Sequence, residues 1–127
     1  METTAKKALQ GIDTIIVRVS DVQASRQWYT EKLDLSPIWD DAATRLVVLD
    51  TGGPTSLTLW QTDAPVNNNR ETASYPIFRT GNAAEARALL RAKGVSTGEV
   101  IEDGPVQYFF FYDPDGNVLE ACQVHGM

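Results

Sequence analysis

The sequence contains one cysteine, Cys122, and one histidine, His125. A lone cysteine has no partner for an intrachain disulfide and fits a reducing compartment. A lone histidine is too few for an iron site built from two histidines and a carboxylate. Basic residues are scarce: 11 Lys and Arg against 17 Asp and Glu give a net charge of −6 and a pI near 4.6. Clustered cations are what hold a phosphate backbone, so no nucleic-acid partner is expected. There is no run of roughly 18 apolar residues, hence no expected membrane helix. Met1 to Gln10 has two lysines with no apolar stretch behind them, so no secretory signal is expected either. Together these absences point to a cytoplasmic protein. What is present is ordinary for a globular domain: 127 residues, 43% apolar and 22% charged, long enough to bury a core.

The order of elements repeats. Gly11 to Ser20 is rich in β-branched residues (Ile12, Ile15, Ile16, Val17, Val19) and reads as a strand. Asp21 is a suitable N-cap for a helix over Val22 to Leu33. Ser36–Asp41, Thr44–Asp50 and Ser56–Gln61 then read as short strands, separated by Asp40-Asp41-Ala42-Ala43 and Thr51-Gly52-Gly53-Pro54. Residues 62–73, with Pro65 and three consecutive asparagines, have no periodicity and form a linker. After it come a strand over Ser74–Thr80, a helix over Ala83–Lys93 closed by Gly94, and strands over Glu99–Glu102, Gln107–Tyr112 and Asn117–Gln123. Asp113-Pro114-Asp115-Gly116 is the last turn, with glycine where positive φ is needed. Asp21 matches Asn82 at an offset of 61 (82 minus 21), as Arg26 matches Arg87 and Tyr29 matches Leu90; Thr58 matches Glu120 at 62. This predicts an α+β fold of two tandem βαβββ modules, 11–61 and 74–123, with tails at 1–10 and 124–127.

Strand side chains alternate between faces. Leu57 and Leu59, like Leu119 and Ala121, should pack beneath the helix of their module. Thr14, Arg18, Thr58, Trp60, Tyr75, Arg79, Glu120 and Cys122 then share the opposite face. Apolar walls with a few polar anchors are what a ligand pocket uses. Trp39 and Trp60 suit stacking on a planar ligand, and equally a core or a dimer seam. Tyr108, Phe110 and Tyr112 fall on one side of their strand and Phe109 and Phe111 on the other. One set is core and one walls the cleft, and the sequence leaves open which.

Ile12 to Asp21, followed by Ser25, Trp28-Tyr29 and Leu33, resembles the opening of glyoxalase, bleomycin-resistance and extradiol-dioxygenase proteins. Phe111-Tyr112-Asp113-Pro114-Asp115-Gly116-Asn117-Val118-Leu119-Glu120 resembles their closing segment. The resemblance to this vicinal-oxygen-chelate superfamily covers about Gly11 to Gln123. It implies sheets curled around a cleft for a small molecule, in a homodimer. It also implies metal-ligand positions at Thr14, Thr58, Tyr75 and Glu120. Threonine hydroxyls and a phenol are poor neutral-pH ligands, and only Glu120 is of ligand type.

The expectation is therefore a metal-free binder of a drug or metabolite, with no cofactor. An enzyme is the first alternative: a cofactor-independent isomerase, lyase or hydrolase with Glu120 as general base and Tyr75 as acid or oxyanion donor. A second is a divalent-metal lyase or dioxygenase with a relocated site using Glu120 and other carboxylates. Arg18 and Arg79, at matching places, suit clamping of an anion, and equally surface ion pairs. Cys122 reads as a small packed residue, and His125 as part of a mobile tail.

Overall fold

A computed structural model describes residues 7–125. In the first module the β-branched run forms β1 (Thr14–Val19), followed by α1 (Val22–Leu33) and by β2 (Ser36–Asp41), β3 (Leu46–Asp50) and β4 (Ser56–Gln61). These strands make a sheet in the order β1-β4-β3-β2, with β1 parallel to β4 and the other pairs antiparallel. The second module contains β5 (Ile77–Arg79), α2 (Ala83–Ala92), β6 (Ser96–Thr97), β7 (Ile101–Asp103), β8 (Val106–Tyr112) and β9 (Val118–Val124). Its sheet runs β5-β9-β8-β6, with β7 also on β8 and β5 parallel to β9. Neither sheet closes on itself.

Two expected strands differ. The strand expected over Ser74–Thr80 begins only at Ile77, because Pro76 has no N–H to enter a ladder; its carbonyl instead accepts from Glu120 N at 3.2 Å. The strand expected over Glu99–Glu102 is divided. Ser96–Thr97 pairs with one end of β8, and Ile101–Asp103 forms a hairpin with the other end through Gly104, at φ 57°. The tails expected at 1–10 and 124–127 fall partly outside the described residues. Val124 still belongs to β9, and His125 is tied down by a 2.8 Å bond from its N–H to Pro105 O rather than lying in a loose tail.

The modules repeat one another contact by contact. Asp21 caps α1 by accepting from Gln23 N and Ala24 N, and Asn82 caps α2 by accepting from Glu85 N. The first N–H of each helix is met by a glutamine at the end of the module's last strand: Val22 N to Gln61 Oε1 and Ala83 N to Gln123 Oε1, both 2.9 Å. That satisfies a donor which no intrahelical carbonyl can reach. Arg26 lies 3.6 Å from Asp40, and Arg87 lies 3.3 Å from Glu99.

Each helix covers one face of its sheet. Val17, Val19, Val47, Leu49, Leu57 and Leu59 are buried beneath α1, with Tyr29 of that helix, and Phe109, Phe111, Leu119 and Ala121 beneath α2. Burial of each large side chain contributes about 1.5–3 kcal/mol. Phe109 and Phe111 are thus the core set of β8.

The helices meet at their C-terminal ends. Lys32 Nζ donates to Lys93 O at 2.8 Å, and Lys93 Nζ donates to Glu31 O and Lys32 O at 3.4 and 3.5 Å. Both helices therefore lie on one side of the molecule, and the uncovered sheet faces lie on the other. Along the seam the closing turn grips the first module. Tyr29 Oη donates to Asp113 Oδ2 at 2.7 Å, Asn117 Nδ2 to Arg18 O at 2.9 Å, and Ser20 N to Asp115 Oδ2 at 3.1 Å.

Candidate functional site on the open sheet faces

Strand pairing fixes which side chains stand together on the uncovered faces. In the first sheet, Ile16, Thr58, Val48 and Trp39 form one row across β1, β4, β3 and β2; Arg18, Trp60 and Leu46 form the next. In the second, Ile77, Glu120 and Phe110 form a row across β5, β9 and β8, and Arg79, Cys122, Tyr108 and Ile101 form its neighbour. The two faces adjoin where Ile16, Ser74, Tyr75, Pro76 and Val118 border a depression of about 270 Å³.

The first face is satisfied internally. Thr14 Oγ1 and Thr58 Oγ1 are 2.8 Å apart and bonded to each other. Arg18 donates to Trp60 O at 3.1 Å and Gln61 O at 3.3 Å, and its guanidinium lies 4.2 Å from the Trp60 ring centre. Trp60 in turn donates its indole N–H to Thr44 O. Arg18 is thus held by the neighbouring strand β4 and the Trp60 ring. Trp39 is the most open aromatic on this face, at 63% exposed.

The second face is different. Glu120 is only 6% exposed, sunk between Ile77 and Phe110. Among the described residues, its carboxylate neither accepts a hydrogen bond nor forms an ion pair. Burial pushes its pKa above the usual carboxylate range. Around it, Tyr75 and Tyr108 each stand edge-on to Phe110 at 5.7 Å between ring centres. The alternation along β8 thus places Tyr108, Phe110 and Tyr112 on the open face, opposite the core pair. The linker residue Arg70 closes this row, its guanidinium 3.7 Å over Tyr112. Tyr75 faces the same side as Glu120, but among the described residues no hydrogen bond links them. Cys122 is half-buried next to Arg79 and Tyr108.

At the positions that the resemblance assigns to metal ligands, the donors are two hydroxyls bonded to each other, a phenol and one carboxylate. Among the described residues no group of three His, Cys, Asp or Glu comes together. Such a set does not fit the three or four N, O or S donors that a divalent ion requires.

One cluster was not anticipated. Asp113 accepts from Tyr29 Oη, Asn117 Nδ2, Asn117 N and Asp115 N, all within 3.0 Å. Burial raises the Asp113 pKa, and the Asn117 and Tyr29 hydrogen bonds oppose that rise. Burial, then the Asp113 charge, lifts the Tyr29 phenol well above its usual range. The expected turn is therefore also a clasp between modules. Its only sequence signal was an aspartate-rich turn following a helix that carries a tyrosine.

The architecture and open faces define a class: tandem βαβββ modules with one face of each sheet left free. The sequence model of the glyoxalase/bleomycin resistance protein/dioxygenase superfamily matches residues 11–121, and the chain belongs to that superfamily. It is 23% identical over 114 residues to biphenyl-2,3-diol 1,2-dioxygenase 2 of Rhodococcus globerulus, a match covering 84% of this chain and 58% of that enzyme. The chain thus spans little more than half the length of that curated relative. An integron cassette protein from the mobile metagenome of the Halifax Harbour sewage outfall superposes with a TM-score of 0.79, at 23% identity over 91% of this chain and 100% of its own. TnmS3, an antibiotic binding protein from Streptomyces sp. CB03234, superposes with a TM-score of 0.78, also at 23% identity, over 94% and 99%. No helix of the described residues is long and apolar enough to cross a membrane.

Proposed function

We propose that this chain is a metal-independent small-molecule binding protein, cytoplasmic and homodimeric, that takes a drug or metabolite on the open face around Glu120. The observation that carries this reading is Glu120, a residue only 6% exposed whose carboxylate has no partner among the described residues and stands beside Tyr75, Phe110 and Tyr108. A carboxylate left without a protein partner on an apolar-walled face is the kind of polar anchor a ligand pairs with. The mutually bonded Thr14 and Thr58 support metal independence. TnmS3 supports the ligand class, as a protein of the same fold that binds an antibiotic. Ile16, Trp39 and Ile77, at 52%, 63% and 57% exposed, support a dimer that covers part of these faces.

The test is a thermal-shift screen of aromatic antibiotics and basic glycopeptides, run with elemental analysis and light scattering. A saturable ligand, a dimer mass and no bound ion are expected. A stoichiometric metal that survives dialysis against chelator, with no ligand found, would overturn the reading.

The raised Glu120 pKa favours a second reading, in which Glu120 is the general base of a cofactor-independent isomerase, lyase or hydrolase and Tyr75 the acid. Glu120→Gln separates the two. In an enzyme it abolishes turnover of a substrate that still binds, whereas in a binder it weakens binding itself.

A further inference from the structure

We propose that the ligand of this face is a planar aromatic cation, an amidinium or guanidinium on a ring, with its charge received by Glu120. This rests on the reading that the face binds a small molecule, and it names the class. Of the cations near the faces, all but Arg79 are engaged elsewhere. Arg18 is engaged by two carbonyls and the Trp60 ring, and Arg70 by Tyr112. Lys32 and Lys93 cap helices on the opposite side. Arg79 stands across from Cys122, one pleat beyond the Ile77–Glu120 pair, and among the described residues forms no ion pair. The threonine hydroxyls of the neighbouring face share a hydrogen bond with each other. Both oxygens of Glu120 are therefore left for a fork of two parallel N–H groups, which amidinium and guanidinium supply and a neutral amide does not.

The surroundings select the rest of the ligand. Phe110 lies directly across from Glu120, and Tyr75 and Tyr108 meet it at 80° and 81°. Rings set edge to face turn some π-faces outward, and a π-face attracts both a flat ring and a cation. An anionic ligand would instead meet the Glu120 charge in a chain of net charge −6.

The experiment uses three probes of one shape: benzamidine, benzamide and benzoate. Binding is followed by amide NMR shifts and calorimetry on the full chain. Benzamidine is expected to shift the amides of Tyr75, Phe110 and Glu120 and to bind at least about tenfold tighter than the other two. Glu120→Gln, nearly the same shape, should remove that advantage and leave benzamide unchanged. Arg79→Gln, which takes away the nearest competing cation, should tighten benzamidine. Equal affinity for benzamide or benzoate, or an unchanged benzamidine affinity in Glu120→Gln, would overturn the cationic class. If an uncharged ligand saturates these amides and benzamidine does not, the class is wrong and the binding face stands. If no small molecule perturbs them, both fall.

Discussion

In the first module, Thr58 shares a hydrogen bond with Thr14, and Arg18 lies along Trp60 with its guanidinium on two carbonyls. In the second, the matching place holds Glu120, buried and without a partner among the described residues. On the helix sides the modules behave alike, with the same caps, the same glutamine at the helix start and the same arginine-to-acid pair. Packing constrains both helix sides equally, because a cavity or an unpaired donor there destabilises either module. The open faces carry no such constraint, so one has become self-sufficient and the other receptive.

The ties between modules show the same division. The lysine bonds run both ways. The clasp runs one way: Tyr29 reaches Asp113, while its counterpart Leu90 has no hydroxyl, and the first module's Thr51 bonds within its own turn, to Thr55 O at 2.6 Å.

Removing a large core side chain should test this coupling most severely. Phe109→Ala, at a fully buried position in the second module, should cost about 3–5 kcal/mol. All three tryptophans, Trp28, Trp39 and Trp60, lie in the first module. If the ties make one cooperative unit, tryptophan fluorescence and far-UV circular dichroism will report the same lowered urea midpoint. A fluorescence midpoint that stays at the wild-type value would mean independent modules.

Next in size is Tyr29→Phe. It leaves the Asp113 carboxylate without its phenol donor and should cost about 1–3 kcal/mol, whereas Leu90→Val, at the matching site, should cost less. Equal losses in chemical denaturation would mean that the clasp adds nothing to packing.

A smaller effect concerns pH. The Asp113 pKa is raised in the fold, so the folded chain holds that proton more tightly than the unfolded chain does. Its contribution is fully present below the unfolded value of about 3.9 and is lost as pH rises through the raised folded one. Between pH 4 and 7 the urea midpoint of wild type should therefore fall relative to that of Asp113→Asn. Parallel curves would assign no linkage to this group.

Smallest of all are the lysine caps. Lys32→Ala and Lys93→Ala should each cost about 0.3–1 kcal/mol by differential scanning calorimetry, and by similar amounts. Lys93 also pairs with Asp34 at 3.2 Å, so no loss in either variant would mean that these caps add nothing.

The legible parts of the fold were those set by local chemistry. β-branched runs, the Asp21 and Asn82 caps and the glycine stops marked the elements, and the offsets between matching residues marked the repeat. Pro76 is visible in the sequence as a residue without a donor, and it is what shortens the expected Ser74–Thr80 strand to Ile77–Arg79. The division of the strand after α2 depends on Gly98 turning its N–H to Phe110 O, which composition does not reveal. At the site, period-two alternation puts Glu120, Arg79 and Cys122 on one face, while Tyr75 lies ahead of its shortened strand and reaches that face through Phe110. It could not show that Arg18 would turn onto Trp60, or that the two threonines would bond. Those are long-range contacts, set by which strands become neighbours. The Asp113 clasp was hidden for the same reason, since its partners lie 84 residues apart.

The crossed lysine bonds have a further consequence. Lys32 and Lys93 stand 61 positions apart (93 minus 32), the same spacing that relates Asp21 to Asn82, and each donates to the other's backbone carbonyl, at 2.8 and 3.5 Å. A contact of that kind is isologous: about a twofold axis, one residue on a half-length chain supplies both bonds at once. The Tyr29–Asp113 bond, in contrast, needs two different halves. The lysine contact is thus one that two identical halves could make, and the clasp one that only unlike halves can.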